Sequence, residues 1–176
     1  MRPARPLALL LILAFAAAAA ACSGGRGPNA WAASVCTALG PWRTEIGSLA
    51  SRTQQQMDAD TSPGQAKENL MRLFAGAADA SEHARAGVVA AGVPDVADGK
   101  QIAEAFTSAL TAIRDAYGRA RSGIQGLPTA PAKTFYAHVE QVVAKLNQEY
   151  ASSSLDTSKL HSRELKDAFD QVPECR

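Results

Sequence analysis

The sequence predicts an all-α protein: an antiparallel up-down four-helix bundle with a short fifth C-terminal helix. Three observations predict it. Apolar residues recur every three or four positions along nearly all of the chain beyond residue 30, the spacing of a helix's buried stripe. Glycine, proline and capping residues punctuate that pattern at 58–63, 92–94 and 126–131. No segment alternates apolar and polar residues with a period of two for more than a few positions. Four long amphipathic helices with short connections favour antiparallel neighbours.

The first helix is expected from about residue 30 to 57, with Asn29 as a cap. Its apolar line is Trp31, Val35, Leu39, Trp42, Ile46, Leu49 and Met57, with Thr53 in the one gap. Gly40-Pro41 interrupts it, and proline normally kinks or breaks a helix. The apolar register is the same on both sides, which predicts one kinked helix, with a true break as the alternative. Ser62-Pro63-Gly64-Gln65 opens the second helix: a Ser cap, Pro in the first turn and Gln three residues on. Its line runs through Ala66, Leu70, Leu73, Ala77, Ala84 and Val88, and Gly92 then Pro94 end it. Asp95 or Asp98 opens the third, carrying Ile102, Phe106, Leu110, Ile113, Tyr117, Ala120 and Ile124 up to Gly126 and Pro128. Thr129 and Pro131 open the fourth, with Phe135, Val139, Val142, Leu146 and Tyr150. A polar link at 152–158 leads to a fifth helix, roughly 162–170, with Leu165 and Phe169.

The N-terminus belongs to none of these. Residues 1–6 carry Arg2 and Arg5 and no acid, and residues 7–21 run without a polar side chain. A basic start, an apolar stretch of this length and small residues at its end are the parts of a secretory signal peptide. The stretch is short for a bilayer span, which takes about 20 apolar residues. An uncleaved anchor helix is the alternative reading. The expected organisation is a signal peptide at 1–21, a lipid anchor and flexible tether at 22–29, and a helical bundle domain at 30–176.

Ala19-Ala20-Ala21-Cys22 resembles the lipobox of bacterial lipoprotein precursors, with Ala19 where Leu is common. The resemblance implies cleavage before Cys22, diacylglycerol on its thiol, and a place at the outer face of the cytoplasmic membrane. The stretch 92–102 continuing through Arg114-Asp115-Ala116-Tyr117 resembles small uncharacterised helical lipoproteins of GC-rich Gram-positive bacteria. That resemblance implies a place and a fold, and no activity. With Cys22 lipidated, Cys36 and Cys175 remain as an even pair, which in an exported chain reads as a disulfide joining the first helix to the C-terminus. Free buried thiols and an intermolecular bridge are the alternatives.

The formal charge is +1, and loss of Arg2 and Arg5 with residues 1–21 takes it to −1. Such a balance gives no reason to expect nucleic acid as a partner. No catalytic, cofactor-binding or metal-binding constellation stands out. His83, His138 and His161 are isolated from one another, and neither Glu104 nor Glu140 has a His three residues on. Two features merit attention. Arg114, Arg119 and Arg121 cluster around Tyr117 as a candidate anionic docking patch, or else as a solvated face with Asp115 and Arg119 paired at i,i+4. Trp31 and Trp42 lie close to the lipid end, as candidate pocket residues, as contacts to lipid headgroups, or as core. The tether 23–29 reaches at most about 25 Å, so the domain stays close to the bilayer. The expected function is an envelope-tethered interaction or scaffold module, partnered by the membrane through its lipid and by an envelope protein or the cell wall. The alternative is a carrier for an apolar or amphiphilic small molecule.

Overall fold

Proline inside the first helix does not break it. In the computed structural model, which describes residues 25–153 and 161–176, α1 runs unbroken over Pro28–Gln55 with Pro41 inside it. Pro41 sits on the exposed side, while Trp31, Val35, Leu39 and Trp42 are buried to either side of it. An interior proline costs roughly 3 kcal/mol, and each fully buried large apolar side chain returns about 1.5–3 kcal/mol. The packed face therefore outweighs the lost backbone bond. The signal peptide expected at 1–21, Cys22 itself and most of the polar link lie outside the described residues.

The remaining elements are α2 (Pro63–Ala91), α3 (Gly99–Gln125), α4 (Ala132–Ser152), α5 (Arg163–Gln171) and a closing 3-10 turn at Pro173–Cys175. The described chain is thus all-helical; its one extended feature is an isolated parallel bridge between Arg26 and Pro94. The start of α2 follows its sequence signature: Ser62 Oγ accepts from the Gln65 N–H, and Gln65 Oε1 accepts from the Ser62 N–H. Its end falls at Gly92, whose φ of 73° lies in the left-handed region. Ser62 has a counterpart in Ser162, whose hydroxyl accepts from the Leu165 N–H at the head of α5. Asn29 does not cap α1: the helix opens at Pro28, and Gly27 before it supplies no side-chain bond. Asp98 directly precedes α3, but it too makes no side-chain cap.

Contacts between successive helices run in opposite senses. From α1 to α2, Trp31 meets Gly92, Trp42 meets Ser81, and Gln56 at the far end meets Asn69. Gly87 lets the pair approach: a Cβ there would come within 2.6 Å of the Ala38 methyl. From α2 to α3, Glu82 meets Arg114, Phe74 stacks on Tyr117, and Lys67 reaches the Leu127 carbonyl. From α3 to α4, Tyr117 faces Tyr150 and Arg119 bonds Glu149. The backbone of α4 packs on α3 and touches α2, and among the described residues it comes nowhere within 8 Å of α1. Only Phe135 and Leu146 of α4 are buried; Val139, Val142 and Val143 are half-buried. The free side of α1 is taken instead by α5 and the closing turn.

The core is continuous through α1, α2 and α3 and includes Phe74, Phe106, Leu110, Ile113 and Ile124. Its densest aromatic junction lies at one end. There Trp31 meets Phe106 edge-on at 5.4 Å and Phe169 of α5 at 6.0 Å. Every fully buried side-chain nitrogen and oxygen described has a hydrogen-bond partner. Among the described residues no helix is long and apolar enough to cross a membrane.

Candidate functional site

The end of the domain that holds Trp31 gathers most of the unusual geometry. There the backbone at Arg26 is fastened to the 93–95 loop. The Arg26 N–H donates to the Val93 carbonyl at 2.9 Å, and the Arg26 carbonyl accepts from the Asp95 N–H at 2.7 Å. The Arg26 guanidinium also donates to Ser34 Oγ at 2.7 Å. Gly25 lies so close to the 93–95 loop that a Cβ on it would sit 2.8 Å from the Val93 carbonyl oxygen. On the other side of the loop, a Cβ on Gly99 would collide with the Pro94 carbonyl. Gly25 and Arg26, expected within the tether, are therefore packed against the 93–95 loop. Gly25 passes for simple spacer in the sequence, because a close approach between segments so far apart leaves no local signal.

The same end carries the disulfide. Cys36 of α1 and Cys175 of the closing turn are bonded, with their Cα atoms 5.0 Å apart, within the span such a bridge requires. Ala32, Ala168 and Val172 form a small apolar cluster beside it. The cross-link and α5 together bind the C-terminus to the start of the domain.

Both tryptophans are core residues here. Trp31 is 0% exposed and its indole N–H donates to the Gly92 carbonyl at 2.8 Å. Trp42 is 7% exposed and donates to Ser81 Oγ at 3.1 Å, while the Ser81 hydroxyl donates to the Ala77 carbonyl. Two open hollows lie on the described surface, and neither tryptophan lines them.

The three arginines of the candidate docking patch part ways. Arg114 donates to Glu82 of α2 at 2.7 Å and to Asp115 beside it. Arg119 donates through two nitrogens to Glu149 of α4, so the expected i,i+4 pair with Asp115 is replaced by a bridge between helices. Arg121 is exposed. An open hollow lies beside Arg114, Arg119 and Lys145, with Asp115 also on its wall. The carboxylates of Glu82, Asp115 and Glu149 offset the cations, so the cluster ties three helices together rather than presenting a positive field.

Hydrogen bonds from Arg85 and then Arg114 hold the Glu82 carboxyl well down, to about 2 from its ordinary 4.5. A depressed carboxylate contributes stability that is whole above its ordinary value and is lost as pH falls toward the folded value. Glu82→Gln is therefore expected to lower stability near neutrality, with the deficit shrinking steadily from about pH 5 to about pH 2. Urea denaturation of both proteins across that range measures it, and a deficit independent of pH would refute the pairing. Tyr117, by contrast, is pushed up to about 12 by burial first and by Tyr150 second, so its phenol stays neutral.

His83 and His161 are exposed and His138 is half-buried. Glu104 pairs with Lys100 on its own helix. Among the described residues no three His, Cys, Asp or Glu side chains gather in a way that could hold a metal ion. Compared with models of known protein families, with curated proteins and with solved structures, the chain matches none of them.

Proposed function

We propose that this chain is an exported lipoprotein, anchored through Cys22 at the outer face of the cytoplasmic membrane, whose helical domain acts as an interaction or scaffold module. The observation that carries the reading is the Cys36–Cys175 disulfide. Of three cysteines, it leaves Cys22 as the remaining thiol, at the end of the apolar stretch 7–21 and behind three alanines. A structural disulfide also belongs to an oxidising compartment, in keeping with export. The antiparallel contacts support an up-down-up-down course for α1 to α4, with α5 as a brace on α1. Packed tryptophans and satisfied buried polar groups favour a rigid module over a carrier that must open around a ligand.

Expression in a Gram-positive host tests the anchor. Wild-type protein is expected in the membrane fraction, beginning at Cys22 and bearing the mass of a diacylglyceryl group. Cys22→Ala is expected to remain unprocessed or to leave the membrane fraction. A wild-type protein with an unmodified Cys22 thiol would sink the reading. Cross-linking in intact cells tests the module: discrete protein adducts support it, whereas a stoichiometric small molecule extracted from the purified domain replaces it with the carrier.

A further inference from the structure

We infer that the domain is held against the bilayer by one particular end, with Val89 and Val93 seated in the lipid headgroup layer. This rests on the anchoring of Cys22 proposed above and adds an orientation to it. Val89 closes the last turn of α2 at 54% exposure, and Val93 follows in the loop at 43%. With Tyr150 they are the large hydrophobic residues the fold leaves most exposed. The fold thus places two uncovered apolar side chains four positions apart, beside Gly25 and Arg26.

Chain geometry says what covers them. Three peptide steps separate Cys22 from Gly25, and at 3.8 Å per step the two Cα atoms lie at most about 11 Å apart. Gly25 is fixed against Val93 by the paired backbone bonds of Arg26 and by the contact that excludes a Cβ. A lipid on Cys22 therefore brings the bilayer to the 92–95 loop, and the clamp denies the domain the free swing of a long linker. A shallow interfacial seat suits valine, whose side chain is apolar and short, and adds buried area to the hold of the acyl chains. The exposed acids Asp95 and Asp98 are offset there by the exposed cations Arg26 and Lys100, so the contact rests on the apolar side chains and not on charge.

The test uses the full lipidated chain in phosphatidylcholine vesicles whose acyl chains carry bromine, a short-range quencher of indole. Emission of Val93→Trp and of Asp60→Trp, at the opposite end, is compared with wild type, whose Trp31 and Trp42 are common to all. Loss of most of the added emission is expected for Val93→Trp and little for Asp60→Trp. Adding Gly25→Val to Val93→Trp opens the clamp and is expected to restore much of that emission. Unquenched Val93→Trp in protein shown by mass to be lipidated and vesicle-bound overturns this orientation alone, as does equal quenching at both ends. A spectral shift of Val93→Trp that follows protein concentration and not vesicles assigns the valines to a protein contact and overturns it too. A chain carrying no lipid on Cys22 overturns the anchoring and the orientation together.

Discussion

Trp31→Ala is expected to destabilise the domain by about 3–5 kcal/mol, the range for truncating a fully buried large aromatic side chain. The position argues for the upper part of it. Trp31 is the largest fully buried side chain, and it is where three helices converge. Its ring meets Phe106 of α3 and Phe169 of α5 edge-on, and its N–H caps the exposed end of α2 at Gly92. Helices α1 and α3 make no backbone approach within 8 Å, so aromatic side chains carry much of the coupling between them. Trp31→Phe keeps an aromatic surface and gives up the bond to Gly92, which on average contributes about 0.5–1.5 kcal/mol. It should therefore cost clearly less than the alanine variant. Equilibrium denaturation of the two variants beside wild type measures this. A loss under about 1 kcal/mol for Trp31→Ala would mean that the ring is not an anchor, and would return Trp31 to the pocket reading.

The tryptophans also show how far the sequence could be read. Trp31, Val35, Leu39 and Trp42 were legible as one buried face because helical spacing depends only on local geometry. Thr53, which fills the gap in that line, is buried as the spacing requires. The capping box at Ser62 was legible for the same reason, since both partners lie within one turn. The half-buried face of α4 was not. Val139 and Val142 have the spacing of core residues, but burial needs a facing helix, and α1 is turned toward α5 instead. Sequence alone could not show that a nine-residue C-terminal helix would occupy that side of α1. The charged cluster failed similarly. Spacing on α3 suggested Asp115 with Arg119, whereas Glu149 on α4 presents a carboxylate that two guanidinium nitrogens reach. The clamp at Gly25 and Arg26 joins segments nearly seventy residues apart through main-chain atoms, on which residue type leaves almost no mark.

Removing the Cys36–Cys175 bridge is the second large effect expected, and it should act mainly on the unfolded chain. The cross-link spans a sequence separation of 139, and chain entropy for a loop of that length corresponds to about 5 kcal/mol. For a domain of this size that predicts a fall in Tm on the order of 10–20 °C for Cys36→Ser/Cys175→Ser. The folded helices should persist below that temperature, because the C-terminal brace has its own hold. Leu165 and Ala168 are buried, and Phe169 packs on Trp31 and Phe106 through contacts that involve neither cysteine. Circular dichroism of the double variant should thus show native helicity at 25 °C with an earlier melt, and reduction of the wild-type protein should reproduce it. The two large effects share one end of the molecule, so they should not add. With the bridge gone, α5 is held through its aromatic contact, and Trp31→Ala should then cost more than it does in the oxidised protein. A double-mutant cycle reads that coupling directly. Strict additivity would mean that bridge and aromatic junction stabilise the domain independently, and that α5 is no brace.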